Sequence, residues 1–226
     1  MEFRAVKGMN DILPDEVGRF ARIERAFRHA VELHGFSEVR TPTLEYTELF
    51  ARSTGETSEV VEKQMFTLTR ENESLSLRPE GTPGAARAFL NHSVHAKEAL
   101  TRWYYVGPMF RAERPQRGRY RQFHHAGCEA YGDPGPVVDA ELVHLLVRLL
   151  AELGIVDVDV RVNSIGGSGT RAKYREALLR HLTPKAAALS EHAQKRLADN
   201  PLRILDSKDP RDIEAVSDAP SILELL

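Results

Sequence analysis

Hydrophobic residues recur at helical spacing through residues 15–34, where Val17, Phe20, Ile23, Phe27, Ala30 and Val31 form one stripe. That is the pattern of an amphipathic helix, with Pro14 at its first turn and Gly35 just past its end. Residues 36–40 then read as a strand stopped by Pro42. Residues 65–68 and 74–77 flank the polar run RENE as a hairpin would. Thr82 followed by Pro83 has the form of an N-cap and first helical residue, opening a helix to about Leu90. Residues 102–110 and 120–131, rich in aromatics, read as two long antiparallel strands joined by a loop containing Pro115 and Gly118. An apolar helix over 138–153, an alternating strand over 156–162 and helices over 170–181 and 184–199 complete the pattern. Residues 200–226 are harder to place and end on SILELL, as if more protein should follow. No internal repeat is present. Antiparallel strands and helices out of strict alternation predict an α+β domain and not a doubly wound parallel sheet.

Composition narrows the chemistry. The 226 residues carry a formal net charge of -2, so bulk electrostatics do not favour polyanions, and a phosphate contact must come from a local patch. One patch exists: five arginines lie between Arg111 and Arg121. The single cysteine, Cys128, excludes an intramolecular disulfide and suits a reducing compartment, which makes a cytoplasmic location the expectation. No apolar run reaches the roughly 18 to 20 residues of a membrane span, and the amino terminus lacks the apolar core of a signal peptide.

Parity along 120–131 sorts the residues by face. Tyr120, Gln122, His124, Ala126, Cys128 and Ala130 share one face, which reads as core and places Cys128 as a buried small residue. Arg121, Phe123, His125, Gly127, Glu129 and Tyr131 share the other. A cation, an aromatic plate, an imidazole, a missing side chain and a carboxylate suit a polar ligand better than a packed interior, with Gly127 letting that ligand lie on the backbone. Planar guanidinium forks match phosphate oxygens and neutralise charge at a reacting phosphoryl centre. A triphosphate would account for the cluster, and a basic solvated hairpin tip is the bland alternative.

The run FRAERPQRGRYRQFHHAGCEAYG resembles motif 2 of the class II aminoacyl-tRNA synthetases, and its ERPQRGRYRQFH core is similar in particular to the histidyl-tRNA synthetases. KGMNDILP, GFSEVRTPTLE (similar to motif 1), LRPEGTPGAARA, VNSIG and LRILDSKD extend the resemblance over essentially all 226 residues. It implies an antiparallel sheet flanked by helices, with motif 1 at about 35–56 and motif 2 at about 103–132. The implied reaction activates L-histidine with ATP and Mg2+ to histidyl-adenylate and transfers it to tRNA(His). By the same resemblance, Arg111 contacts the α-phosphate and the amino-acid carboxylate as the catalytic arginine. Glu113 holds the adenine, Arg119 the outer phosphates, and Phe123 stacks on the purine. Glu80, Gly81 and Thr82 form the histidine-binding turn, His125 stands in the amino-acid site, and Glu129 receives the substrate ammonium. Gln116 and Arg117 face the tRNA acceptor end, and motif 1 makes a homodimer.

Two departures matter. The family usually has glutamine where this chain has His125, and imidazole titrates near neutrality where an amide does not. No match is found to motif 3, to the glycine-rich GGRYD-like run with its catalytic arginine, or to the anticodon-binding domain. The expectation is a catalytic domain cut short before motif 3, with little or no aminoacylation by itself. The runner-up is the synthetase-like regulatory subunit of ATP phosphoribosyltransferase, which has no need of the complete arginine set. A prolyl or threonyl synthetase is a third reading.

No metal site is expected. His124 and His125 point to opposite faces, and His92 and His95 lack a third ligand. GGSGT at 166–170 reads as a glycine turn capped by Ser168 or Thr170.

Overall fold

A computed structural model describes residues 3–54, 64–164 and 166–225, so the last two residues assigned to motif 1, 55 and 56, lie outside it. The chain divides into two units, Met1–Val158 and Asp159–Leu226.

In the first unit, helix α1 spans Pro14–Leu33 and stops at Gly35, whose φ of +76° a side chain would resist. Its buried residues are Ala26, Phe27, Ala30 and Val31. The apolar stripe is therefore sealed only over its second half, since Val17 and Ile23 are about half exposed. Strand β1, Ser37–Glu38, is shorter than the predicted 36–40. It pairs parallel with β5, Thr101–Phe110, which pairs antiparallel along its full length with β6, Gln122–Tyr131. The sheet order is β1-β5-β6.

A second sheet has the order β2-β4-β3, from Leu44–Tyr46, Glu73–Leu77 and Thr67–Arg70. Its β3–β4 hairpin turns on Glu71 and Asn72, both at positive φ, the geometry that matches the twist of paired strands. Helix α2, Thr47–Thr54, follows β2. Helix α3, Thr82–Asn91, follows β4, and α4, Pro136–Glu152, follows β6.

The core joins Phe27, Val31 and Phe36 to Tyr104, Leu145 and Leu149, with Cys128 partly buried against it. Burial pushes the Cys128 thiol up to about 11, with the Glu129 charge adding to the effect, so it stays a protonated packing group at neutral pH. At the edge of this core, Arg102 donates to both oxygens of Glu141 at 2.8 and 2.7 Å and to the His34 carbonyl at 2.7 Å, tying α1, β5 and α4 together.

The predicted strand over 156–162 is not formed. Its valines alternate, yet Val156 and Val162 are at least three-quarters exposed, and among the described residues no strand lies beside it to complete a ladder.

In the second unit, α5 spans Ser168–Leu182 with Gly167 as its N-cap, so the cap predicted at residue 168 or 170 falls inside the helix. The helix predicted over 184–199 is broken into a 3-10 turn, Thr183–Ala188, and α6, Glu191–Asp199. The break falls at Ser190, whose hydroxyl accepts from the Ala193 N–H and restarts the helix. Helix α7, Pro210–Val216, delivers Asp212, which is 1% exposed. It accepts from the Ser190 N–H and hydroxyl, both at 2.8 Å, and from the Ser207 hydroxyl at 2.6 Å. The same unit buries Leu182, Leu189, Ala193, Ile204 and Ala215 as one apolar cluster.

Candidate active site

The β5–β6 register decides what faces the site. Trp103, Tyr105, Gly107 and Met109 stand opposite Glu129, Gly127, His125 and Phe123, so the face inferred from parity on β6 is completed by alternate residues of β5. The opposite face packs toward α1 less completely than expected. Cys128 touches the core, whereas His124 and Ala126 are exposed, with Phe20 of α1 meeting the His124 ring edge to face, centroids 5.2 Å apart.

At the loop end, Arg111 follows β5. Its Nε donates to the Pro79 carbonyl at 3.0 Å, and its guanidinium lies 5.3 Å from the Phe123 ring centre, a cation–π distance. Glu113 and Arg119 pair with each other at 3.3 Å. With Arg111, Gly118, Tyr120, Phe123 and His124 they line a cleft of about 340 Å³. Gln116 and Arg119 exchange backbone hydrogen bonds of 3.1 and 2.9 Å across a tight turn, which leaves Gln116 and Arg117 exposed at the tip.

Arg121 is spent differently from the expectation of a ligand-facing cation. Its Nε donates to the Glu113 carbonyl and its Nη1 to that of Lys7, while its own N–H donates to the Gly8 carbonyl at 2.7 Å. It clamps the amino-terminal loop against the arginine loop. Gly8 is required there, at φ +86° with Pro115 where a Cβ would stand.

At the other end, Glu129 Oε1 accepts from the Thr82 hydroxyl at 2.7 Å and from the Tyr105 hydroxyl at 3.1 Å. Thr82 is therefore not the helix cap. The N-cap is Gly81, and the threonine side chain is directed across the site. Gly127 does not receive a ligand directly either. The Tyr105 ring fills the space over it, and a Cβ at Gly127 would come 2.6 Å from the Tyr105 hydroxyl, one at Gly81 2.1 Å from its ring. Tyr105 thus occupies a slot between two glycines. Burial, followed by the Glu129 and Glu80 charges, keeps its phenol protonated far above the ordinary range against the opposing effect of Thr82. Glu80 is half-buried beside it.

His125 meets Tyr105 edge to face, centroids 5.6 Å apart. Its Nδ1 is shielded from water without a hydrogen-bond partner among the described residues, as is the Tyr131 hydroxyl farther along the same strand face. Burial holds the His125 pKa below its ordinary 6.5, helped by the Arg111 and Arg78 charges and opposed by Glu129, so the imidazole is neutral at physiological pH.

The structure thus brings Glu80, Gly81, Thr82 and Glu129 to one end of the strand face and Arg111, Glu113, Arg119 and Phe123 to the other, with His125 between them. Sequence reasoning missed Tyr105, Arg78 and the Gly8 loop. The parity argument applied to β5 would have found Tyr105. Arg78 and Gly8 lie within the runs LRPEGTPGAARA and KGMNDILP that carry the resemblance, but nothing local to either marks its contacts.

An α+β unit whose long β5–β6 hairpin carries both an arginine-lined cleft and a carboxylate held by two hydroxyls defines the class to which comparison with known proteins points. Residues 8–218 match the family model described as histidyl-tRNA synthetase, and the chain belongs to that family of aminoacyl-tRNA ligases. It is 62% identical over 226 residues to the histidine--tRNA ligase of Sorangium cellulosum and 47% identical over 227 residues to that of Syntrophotalea carbinolica, covering all of this chain and 53% and 54% of those proteins. The chain spans about half the length of the curated relatives it matches. Among solved structures, apo histidyl-tRNA synthetase of S. aureus superposes with a TM-score of 0.75 at 31% identity, covering all of this chain and 50% of that one. An ATP phosphoribosyltransferase regulatory subunit/histidyl-tRNA synthetase from Bacillus halodurans shares the fold, with a TM-score of 0.65 at 22% identity over 98% of this chain and 60% of that one.

Proposed function

We propose that this chain carries the ATP- and histidine-binding face of a histidine--tRNA ligase, and that in the complete protein the L-histidine carboxylate attacks the ATP α-phosphate to form histidyl-adenylate with loss of pyrophosphate, the histidyl group then passing to tRNA(His) with loss of AMP. The observation that carries the reading is Arg111, held by the Pro79 carbonyl one residue before Glu80 and lining the cleft of Glu113, Arg119 and Phe123, where an amino-acid carboxylate would meet an α-phosphate. A fixed guanidinium there lowers the barrier by holding the two anions in line and by stabilising charge that develops on the phosphoryl oxygens.

In this reading Glu113 and Arg119 exchange their mutual ion pair for the adenine amino group and the outer phosphates. Phe123 supplies the purine plate, and Glu129, set by two hydroxyl donors, takes the substrate ammonium beside Glu80 and Thr82. ATP enters as its Mg2+ complex. Glu113 is the one carboxylate among the residues lining the arginine cleft and is taken by the adenine, so phosphate and water oxygens would supply the shell that this hard cation requires. Gln116 and Arg117, exposed at the loop tip, face the tRNA acceptor end. A homodimer through motif 1 and a cytoplasmic location belong to the same reading. Tyr46 and Leu68, both 57% exposed on the second sheet, supply apolar surface for such a contact.

The test is calorimetric titration with a non-hydrolysable histidyl-adenylate analogue, against the prolyl analogue, for the chain and its Arg111→Ala and Glu129→Ala variants. Selective histidyl binding weakened by both substitutions supports the reading. Equal binding of the two analogues, or indifference to both substitutions, refutes it and favours a regulatory-subunit role.

A further inference from the structure

Arg78 was not among the residues singled out from the sequence, yet its surroundings are those of a residue that acts on others. Its Nε donates to the Pro108 carbonyl at 3.0 Å, and its Nη1 donates to the Thr41 carbonyl at 2.9 Å and to the Thr41 hydroxyl at 3.4 Å. Its backbone N–H donates to the Thr43 carbonyl at 2.9 Å, and its carbonyl accepts from the Phe110 N–H at 3.0 Å. The residue therefore binds the segment after β1, the end of β4 and the end of β5 into one joint. Nη2 lies over Gly107, where a Cβ would come within 2.7 Å of it, and Gly107 is the register partner of His125.

The next carbonyl in the chain, that of Pro79, is the one that holds Arg111 Nε. A joint at residue 78 held by its Nε, its Nη1 and both backbone groups thus sets the position of the Pro79 carbonyl that aims Arg111. Burial lowers the pKa of Arg78, partly offset by the Glu45 and Tyr105 charges. It nonetheless remains a cation by a wide margin, since guanidinium is effectively never deprotonated in proteins. A neutral donor would clamp two carbonyls as well, so the charge has a separate consequence: it reaches His125. The groups that face this imidazole are the Arg111 and Arg78 guanidiniums, the Glu129 carboxylate and the Tyr105 ring.

The geometry points to Arg78 as a positioning residue of the amino-acid-activating site, which aims Arg111 through the Pro79 carbonyl and forms with it a cationic floor beside His125. The inference rests on the synthetase reading for its consequence in catalysis, but the arrangement it describes exists in the ligand-free chain.

The experiment compares wild type, Arg78→Lys, Arg78→Gln, Arg111→Gln and the double variant R78Q/R111Q. Two readouts need no ligand: hydrogen exchange of the Arg111 Nε proton and the NMR titration of the His125 imidazole. In Arg78→Gln the Arg111 proton exchanges faster and the His125 midpoint rises, because one of the two cations that oppose its protonation is gone. In Arg78→Lys the charge stays and the fork is lost, so exchange quickens while the midpoint moves less. The third readout is titration with the histidyl-adenylate analogue. Arg78→Gln weakens binding roughly tenfold when Arg111 is present and by less than about twofold when Arg111 is already glutamine, the non-additivity expected of residues acting through one another.

Equal losses in both backgrounds, or a drop in melting temperature with unchanged Arg111 exchange and His125 midpoint, would overturn the proposal and leave Arg78 a joint only. If Arg78→Gln fails to fold, Arg78→Lys carries the decision through the exchange of the Arg111 proton. If wild type binds no analogue, the synthetase reading falls while the two ligand-free readouts still decide what Arg78 does.

Discussion

At Glu129 one carboxylate oxygen takes hydrogen bonds from two hydroxyls on different elements, Thr82 of α3 and Tyr105 of β5. Replacing Glu129 by glutamine keeps the shape but removes the charge that would pair with a substrate ammonium, and analogue binding is expected to weaken by about tenfold or more. Calorimetry on Glu129→Gln measures it, and an unchanged affinity would assign the carboxylate to structure alone. His125 makes a second, separable claim. Its pKa lies below 6.5 in the folded chain and near that value when unfolded. The unfolded state therefore binds the proton first, and acidification below about pH 6.5 destabilises the fold until the depressed folded value is passed. Relative to His125→Gln, wild type should lose stability as pH falls through that window and hold a constant difference above it, as denaturant titrations across pH 4.5–8 will show. The resemblance could say that an imidazole replaced an amide, but not that burial and two guanidiniums would keep it neutral.

Among the elements, the β5–β6 hairpin was the most legible. Its alternation and aromatic content fix two long strands, and parity on β6 correctly separates Phe123, His125 and Glu129 from Cys128. What parity on a single strand cannot show is who covers a glycine. Gly127 read as an opening for a ligand, and the space belongs to Tyr105 from the neighbouring strand. Residues 156–162 failed for the complementary reason. Their alternating valines satisfy the local rule for a strand, but a strand is made by its neighbour, and among the described residues none is there. The 184–199 helix failed where a serine side chain outcompeted helix continuation, a cap visible in sequence only once its Asp212 partner, 22 residues away, is known. The Tyr105 slot yields a test at this scale. Gly81→Ala would place a Cβ 2.1 Å from the Tyr105 ring, and a displaced buried aromatic should cost about 2–4 kcal/mol. Chemical denaturation of Gly81→Ala measures it, and a loss under about 0.5 kcal/mol, typical of a surface change, would mean that the ring moves freely.

For the molecule as a whole, two units with separate buried clusters imply that damage to one can be read apart from the other. Asp212 is buried in the second unit. Burial works to raise its pKa, but the hydrogen bonds from Ser207 and Ser190 outweigh that and leave it below the ordinary 3.8. Its stabilising effect is thus present at neutral pH and lost as pH falls through the depressed folded value. Asp212→Ala leaves two serine hydroxyls and a backbone N–H without their acceptor, at a cost of about 2–4 kcal/mol to that unit. The sole tryptophan, Trp103, belongs to the first unit. On heating Asp212→Ala, the helical circular dichroism should fall earlier while the Trp103 fluorescence transition keeps its midpoint; a common shift would show the two units melting together.

The glycine-lined slot around Tyr105 also bears on how such a protein could be redesigned. Residues 81 and 127 sit within the presumed choice of a library builder who wants a roomier or tighter amino-acid pocket, yet both are already committed to housing a side chain of the protein itself. Randomising them would return misfolded clones instead of altered substrate preference. The positions with latitude are those whose polar atoms still await a partner, His125 and Tyr131, and a selection for new amino-acid acceptance should begin there.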